Sequence, residues 1–169
     1  SPLGLPWEYY YSYGNWFVDS STFYPLPKKI ELYATTILNA PKEMEVEAWL
    51  WSFAAIDLWV DGEYVGGIDK PVYKPIKKEI LKLKLKKGSN SLFIRLQNLG
   101  VRDTRTLFGI QINGDIKENL TITLPDMDNI KPYMEVDRWL SNITLEDEML
   151  KFLSPAPYNA QVIYDSKTV

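Results

Sequence analysis

Apolar and polar residues alternate with a period of two through most of the chain, the signature of strands that bury one face. Met44, Val46, Ala48 and Leu50 share one parity, and Glu43, Glu45, Glu47, Trp49 and Trp51 share the other. Good helix formers in this stretch favour a helix, but the strict alternation and the preceding Asn39-Ala40-Pro41 turn predict a strand. The same period sets Ile30, Leu32, Thr36 and Leu38 on one face. It repeats in Ile56, Leu58 and Val60, with Asp57 and Trp59 opposite. Leu81, Leu83 and Leu85 alternate with Lys82, Lys84 and Lys86, which predicts a half-buried strand with a lysine-covered outer face. Leu92/Ile94/Leu96, Phe108/Ile110/Ile112 and Leu120/Ile122/Leu124 continue the series.

Turn residues punctuate these strands. Asp61-Gly62 supplies the positive-φ positions of a tight hairpin, Gly88 closes the lysine-faced strand, and Asn113-Gly114-Asp115 ends another. Pro71 and Pro75 mark 68–76 as a loop. Short strands with turn signals at roughly 8–12 residue spacing predict a sandwich or barrel. The pattern changes after Pro125. Val136, Trp139 and Leu140, then Leu145, Met149 and Leu150, follow helical spacing over 132–141 and 144–153, and Thr144 with Asp147 resembles a capping box. Ser154-Pro-Ala-Pro157 is expected to be a linker, and 160–164 a strand opening a further domain.

Composition narrows the chemistry. There are 169 residues with no cysteine and no histidine. Disulfides, thiolate nucleophiles and every triad built on histidine are therefore excluded. The net charge of −3 and the absence of aromatics among the 82–87 lysines argue against a nucleic-acid partner. No apolar run is long enough to span a bilayer, and no charged and apolar leader opens the chain, so neither a membrane span nor a signal peptide is expected. The compartment stays open, cytoplasmic or secreted.

Aromatic residues make up 14% of the chain, more than a core of this size needs. They concentrate in 7–24, which reads either as an arm laid over the sandwich edge or as a surface that stacks on sugar rings. Two hairpin segments then carry a family likeness. Val60-Asp-Gly-Glu-Tyr-Val-Gly66 is similar to a V-N-G-x-x-V-G hairpin, with Asp for Asn. Leu85-Lys-Lys-Gly-Ser-Asn-Ser-Leu-Phe-Ile94 is similar to an L-K-x-G-x-N-x-L-x-V strand turn. Gln97-Asn-Leu-Gly100, with Arg102 and Phe108-Gly109, is similar to an N-x-G-R…F/Y-G stretch, although Val101 here separates the glycine from the arginine. Over about 28–117 the chain thus resembles the galactose-binding-like jelly-roll domains attached to glycoside hydrolases, the β-galactosidases among them.

The resemblance implies an antiparallel β-sandwich of jelly-roll type, which does not itself catalyse. It implies an accessory role, orienting a catalytic domain of the same polypeptide and contacting carbohydrate weakly. A free-standing carbohydrate-binding module and an adhesive protein-interaction module are the rival expectations. The division expected is an aromatic arm over 1–27, the jelly roll over 28–125 and a partly helical linker with the start of a next domain over 126–169.

The candidate carbohydrate contacts are Trp7, Tyr9, Tyr11 and Trp16 in the arm, and Arg102, Asp103 and Arg105 in a loop between buried strands. The loop could equally be pinned internally by an Arg–Asp pair. Glu45 and Glu47 share an outer strand face with Trp49 and Trp51, which a solvated surface explains without a glycosidase pair. No cofactor is expected. Asp126, Asp128 and Asn129 are oxygen donors for calcium, but the glycine and distal glutamate of a calcium loop are missing.

Overall fold

In the computed structural model, residues 2–12, 14–113, 120–125, 127–146, 149–152 and 155 are described. The chain divides into two compact units, Ser1–Pro125 and Asp126–Val169.

The first unit is an antiparallel β-sandwich of jelly-roll type. Its strands are β1 (Val18–Asp19), β2 (Tyr24–Ala40), β3 (Met44–Ser52), β4 (Ala55–Val60), β5 (Glu63–Ile68), β6 (Lys77–Leu85), β7 (Gly88–Arg102), β8 (Leu107–Asn113) and β9 (Thr121–Thr123). One sheet has the order β1-β8-β3-β6 and the other β5-β4-β7-β2-β9. The rows read from alternation meet between them. Val46, Ala48 and Leu50 of β3, Ile56, Leu58 and Val60 of β4, Leu81, Leu83 and Leu85 of β6, and Leu92, Ile94 and Leu96 of β7 form one buried cluster with Leu38 and Phe108. Met44, Ile110 and Ile112 pack against it, partly buried. Lys82, Lys84 and Lys86 are all exposed, so the register of β6 is the expected one.

Ile122 departs from its row. It lies opposite Leu38, on the inward side, yet is 68% exposed. Its strand is the short outer edge of the five-stranded sheet, and of the same row Leu120 does pack against the core. The four-stranded sheet begins earlier in the chain than the alternation suggests. Pairing of Val18 with Phe108 recruits the end of the arm as a short edge strand.

Two side chains lock the turns. Asn90 is fully buried, accepting from Lys86 N at 2.7 Å and donating to the carbonyls of Lys86 and Gly88 at 2.9 Å each. Asp61 stands at φ +50° and Gly62 at +85°, the left-handed pair that a tight hairpin needs. Its carboxylate accepts from Ser91 N at 2.8 Å and pairs with Lys86 at 3.1 Å.

The second unit contains α1 (Met127–Leu140) and a hairpin of β10 (Ile143–Glu146) with β11 (Met149–Phe152). Pro132 lies inside α1, which therefore starts upstream of the expected helix. Ser141 and Asn142 cap its last carbonyls at Asp137 and Arg138. The helix expected over 144–153 is instead the hairpin. Ile143 and Thr144 are β-branched, and so short a segment gains little from helix propagation. Capping by Asp147, the linker residues 154, 156 and 157, and the strand expected over 160–164 lie outside the described residues.

Candidate functional site

The loop singled out between buried strands spans 103–106, after Val101 and Arg102 at the end of β7, and its conformation is set by two side chains. Thr104 Oγ1 accepts from Val101 N at 2.8 Å and donates to Val101 O at 2.6 Å. Asn98, almost fully buried, donates through Nδ2 to Arg105 O at 3.0 Å and Thr106 Oγ1 at 3.2 Å. Arg102 completes the turn at φ +55°, a conformation that a residue with a Cβ adopts only under constraint. Among the described residues no ion pair involves Arg102, Asp103 or Arg105. The loop is therefore pinned by hydrogen bonds and not by an Arg–Asp pair, leaving its charged groups exposed.

Asp103 and Arg105 reach one cleft of about 250 Å³, and Arg102 does not line it. The opposite wall comes from the proline-marked loop, through Pro71, Val72, Tyr73 and Lys74, and Asn98, Leu99 and Thr104 complete the lining. Val72 N bonds Phe53 O at 2.7 Å, and the Arg105 guanidinium lies 5.7 Å from the Phe53 ring. Lys74 sits 5.5 Å from the Tyr73 ring, which is 69% exposed. The cleft thus offers an accessible aromatic, two cations and a carboxylate around neutral polar groups. Tyr73 and Lys74 carry no local signal beyond their place between two prolines.

The described residues of the aromatic arm do not line this cleft. Trp16 is 93% exposed, and Trp7 and Tyr11 are also exposed. Tyr9 and Tyr11 lie with ring centroids 6.3 Å apart and planes 35° apart. Tyr10 Oη accepts from Asp19 N at 3.0 Å, which ties the arm to β1. Phe17 packs on β8 at Gly109, where an added Cβ would fall 2.9 Å from its ring. The end of the arm therefore behaves as packing on the sandwich.

A third constellation lies on the outward face of the five-stranded sheet. Phe93, Trp59 and Tyr64 stand opposite one another on β7, β4 and β5, and Tyr33 of β2 adjoins diagonally. Their ring centroids follow at 5.7 Å, 5.7 Å and 5.6 Å. Beside them Arg95 donates to Asp57 Oδ2 through Nε at 3.1 Å and Nη2 at 2.7 Å. Glu31 accepts from Tyr33 Oη at 2.9 Å and Gln97 Nε2 at 3.1 Å. The Tyr33 hydrogen bond, foremost, lowers the Glu31 pKa, and the same bond raises that of Tyr33.

Of the calcium candidates, Asp128 and Asn129 lie at the start of α1 and Asp126 lies outside the described residues. Among the described residues no three His, Cys, Asp or Glu side chains gather as metal ligands. No described helix is long and apolar enough to cross a membrane.

The chain matches no family model and no curated protein. Among solved structures it is similar to a family 35 carbohydrate-binding module from an environmental isolate, with a TM-score of 0.41 and 16% identity over 55% of this chain and 71% of that one. It is also similar to a β-glucosidase from Kluyveromyces marxianus in complex with glucose, with a TM-score of 0.38 and 14% identity. That match covers 64% of this chain and 12% of the β-glucosidase.

Proposed function

We propose that this chain is a non-catalytic accessory domain of a multidomain carbohydrate-active enzyme, and that it contacts carbohydrate at the loop-end cleft. The observation that supports this reading is the convergence of Tyr73, Lys74, Asp103 and Arg105 on one opening whose floor is fixed by buried Asn98. An exposed phenol ring stacks on the apolar face of a pyranose. Planar guanidinium donors and a carboxylate acceptor match vicinal hydroxyls. The cleft is small and open, so it grips a single sugar unit, as expected of one edge of a larger substrate surface.

Binding by the isolated chain is expected in the millimolar range, about −4 kcal/mol. NMR titration with galactosides, rhamnosides and uronates tests the reading. Shifts at Tyr73 and Asn98 that vanish in Arg105→Ala support it. Shifts confined to the Lys77–Lys87 strand, or binding indifferent to Arg105→Ala and Tyr73→Ala, reject the site. Hydrolysis of a nitrophenyl glycoside, abolished by one carboxylate substitution, would reject the accessory role.

A further inference from the structure

The cleft wall that carries Arg105 is held from two directions. The peptide group between Arg105 and Thr106 is gripped at both ends. Its carbonyl, on Arg105, accepts from Asn98 Nδ2 of β7 at 3.0 Å. Its N–H, on Thr106, donates to Ser21 Oγ of the arm at 2.9 Å. Ser20 N adds a bond to Thr106 O at 2.9 Å, so the arm takes both backbone groups of Thr106. Thr106 is 1% exposed, and its hydroxyl accepts from Asn98 at 3.2 Å. Asn98 belongs to a strand in the middle of its sheet, whereas Ser21 is exposed and comes from 85 residues earlier in the chain.

The arm's side of this grip is the shallower one. Ser21 N donates to Asp19 Oδ1 at 2.9 Å, a local turn that sets the Ser21 hydroxyl toward Thr106. Just before it, β1 pairs with β8 through two residues, Val18 with Phe108 and Asp19 with Leu107. Tyr10 at Asp19 N and Phe17 at Gly109 are further anchors of the arm. An edge strand of two residues opens at far less free energy than the core does. Undocking leaves the Thr106 N–H without its acceptor. A buried donor is costly to leave unpaired, so the loop moves to reach water and Arg105 moves with it.

We infer that the arm is a strap for the cleft: docking of 18–21 on β8 fixes the Arg105 peptide, Ser21 is the positioning residue, and undocking releases Arg105 from the wall. The opposite wall hangs elsewhere, from the bond of Val72 N to Phe53 O at 2.7 Å. The strap therefore controls the cationic wall and leaves Tyr73 and Lys74 in place. By linkage, a ligand held at Arg105 tightens the arm in return. The consequence for affinity rests on the sugar reading of the cleft, whereas the consequence for the loop rests on the hydrogen bonds alone.

Amide hydrogen exchange of the full chain, read by NMR, tests the strap without any sugar. The Val101 amide is closed inside the loop by Thr104 Oγ1. In Ser21→Ala it is expected to exchange roughly threefold faster, and the Arg105 side-chain signals should move toward those of a free arginine. Ser21→Thr keeps the hydroxyl and should restore both. Gly109→Ala crowds Phe17 without altering Ser21, and should reproduce the Ser21→Ala pattern. The Val72 amide should stay unchanged throughout. Titration with methyl galactoside, methyl rhamnoside and methyl glucuronide then reads the affinity. A loop ordered about a third of the time binds roughly threefold more weakly, so Ser21→Ala should weaken whichever sugar binds by about that factor. In the wild-type chain that sugar should slow exchange of the Ser20 amide. The strap is overturned if Val101 and Arg105 are unmoved in both Ser21→Ala and Gly109→Ala, or if Val72 speeds up equally, which would mean general loosening. Sugar affinity unchanged in Ser21→Ala overturns it too. If none of these sugars binds the wild-type chain, the cleft reading fails and the exchange pattern alone decides the strap.

Discussion

The two outward faces of the sandwich are made from similar residues and arranged to opposite effect. On the four-stranded sheet, Trp49 and Trp51 lie 6.2 Å apart, and Lys78 Nζ rests 3.8 Å from the Trp49 ring centroid. Trp49 also donates to Glu47 at 2.7 Å, and Phe17 of the arm covers Gly109 on the neighbouring strand. The chain itself thus occupies this face. On the five-stranded sheet the cation nearest Trp59 is Arg95, 5.8 Å from its ring and committed to Asp57. On both faces the neighbouring rings meet edge-on, at 67° for Trp49 with Trp51 and 63° for Trp59 with Tyr64. The faces differ in where the neighbouring cation sits: Lys78 rests on a ring, and Arg95 pairs with a carboxylate.

The inward faces should not differ in this way, and that symmetry is the largest effect to test. Leu50→Ala on one sheet and Leu58→Ala on the other each remove a fully buried side chain of one shared cluster. Each should cost about 2–5 kcal/mol in denaturant unfolding. A loss confined to one sheet would show that the two do not share a core.

That symmetry was legible because alternation needs only neighbours in sequence. The rows Leu81/Leu83/Leu85 and Leu92/Ile94/Leu96 announce their faces without knowing which strand lies alongside. The outward constellation around Trp59 was not legible for the same reason. Asp57 and Arg95 are 38 residues apart and meet only because β4 pairs with β7 in one register. Trp59 could be placed outward from parity, but its ring partners depend on sheet order. The cleft was half legible. Asp103 and Arg105 lie in the loop where chemistry was expected, whereas Tyr73 and Lys74 arrive from a segment read only as a connection. Over 144–153 the apolar spacing was read as helical, and the pairing of β10 with β11 overrides it.

The covered face can be uncovered. Gly109→Ala would place a methyl 2.9 Å from the Phe17 ring. Overpacking of this kind costs about 1–3 kcal/mol. The expected outcome is displacement of the arm, read as faster proteolysis before β1 with the sandwich transition retained. Unchanged proteolysis would mean that the arm is held elsewhere, for instance by Tyr10 at Asp19.

The committed pair can be broken next. Arg95→Ala leaves the half-exposed Asp57 carboxylate without its two-pronged donor, which should lower stability by a small, salt-sensitive amount because solvent screens the pair. Lys78→Ala loses only a cation over a ring, worth about 0.5–1 kcal/mol at an exposed site. A double-mutant cycle on Arg95 and Asp57 should return most of the Arg95 cost as coupling. Coupling near zero would mean that the guanidinium is free for the ring, which would erase the contrast between the faces.

The smallest effect is a proton on the open face. Glu31 titrates below its ordinary value, chiefly because Tyr33 Oη donates to its carboxylate, with Gln97 and then Lys29 adding to the effect. A carboxyl whose pKa is lower folded than unfolded stabilises the fold above its unfolded pKa, and that contribution fades as pH falls through the folded pKa. The window therefore lies in the acid range, at and below the ordinary glutamate value of about 4.3. Tyr33→Phe removes the donating hydroxyl and keeps the ring beside Phe93. The Glu31 pKa should then rise toward its ordinary value, measured by NMR of the side-chain carboxyl, and the acid-limb slope of stability should flatten slightly. An unmoved pKa in Tyr33→Phe would assign the shift to Gln97 and Lys29. The polar edge of that face would then be organised from its outer margin, without help from the aromatic row.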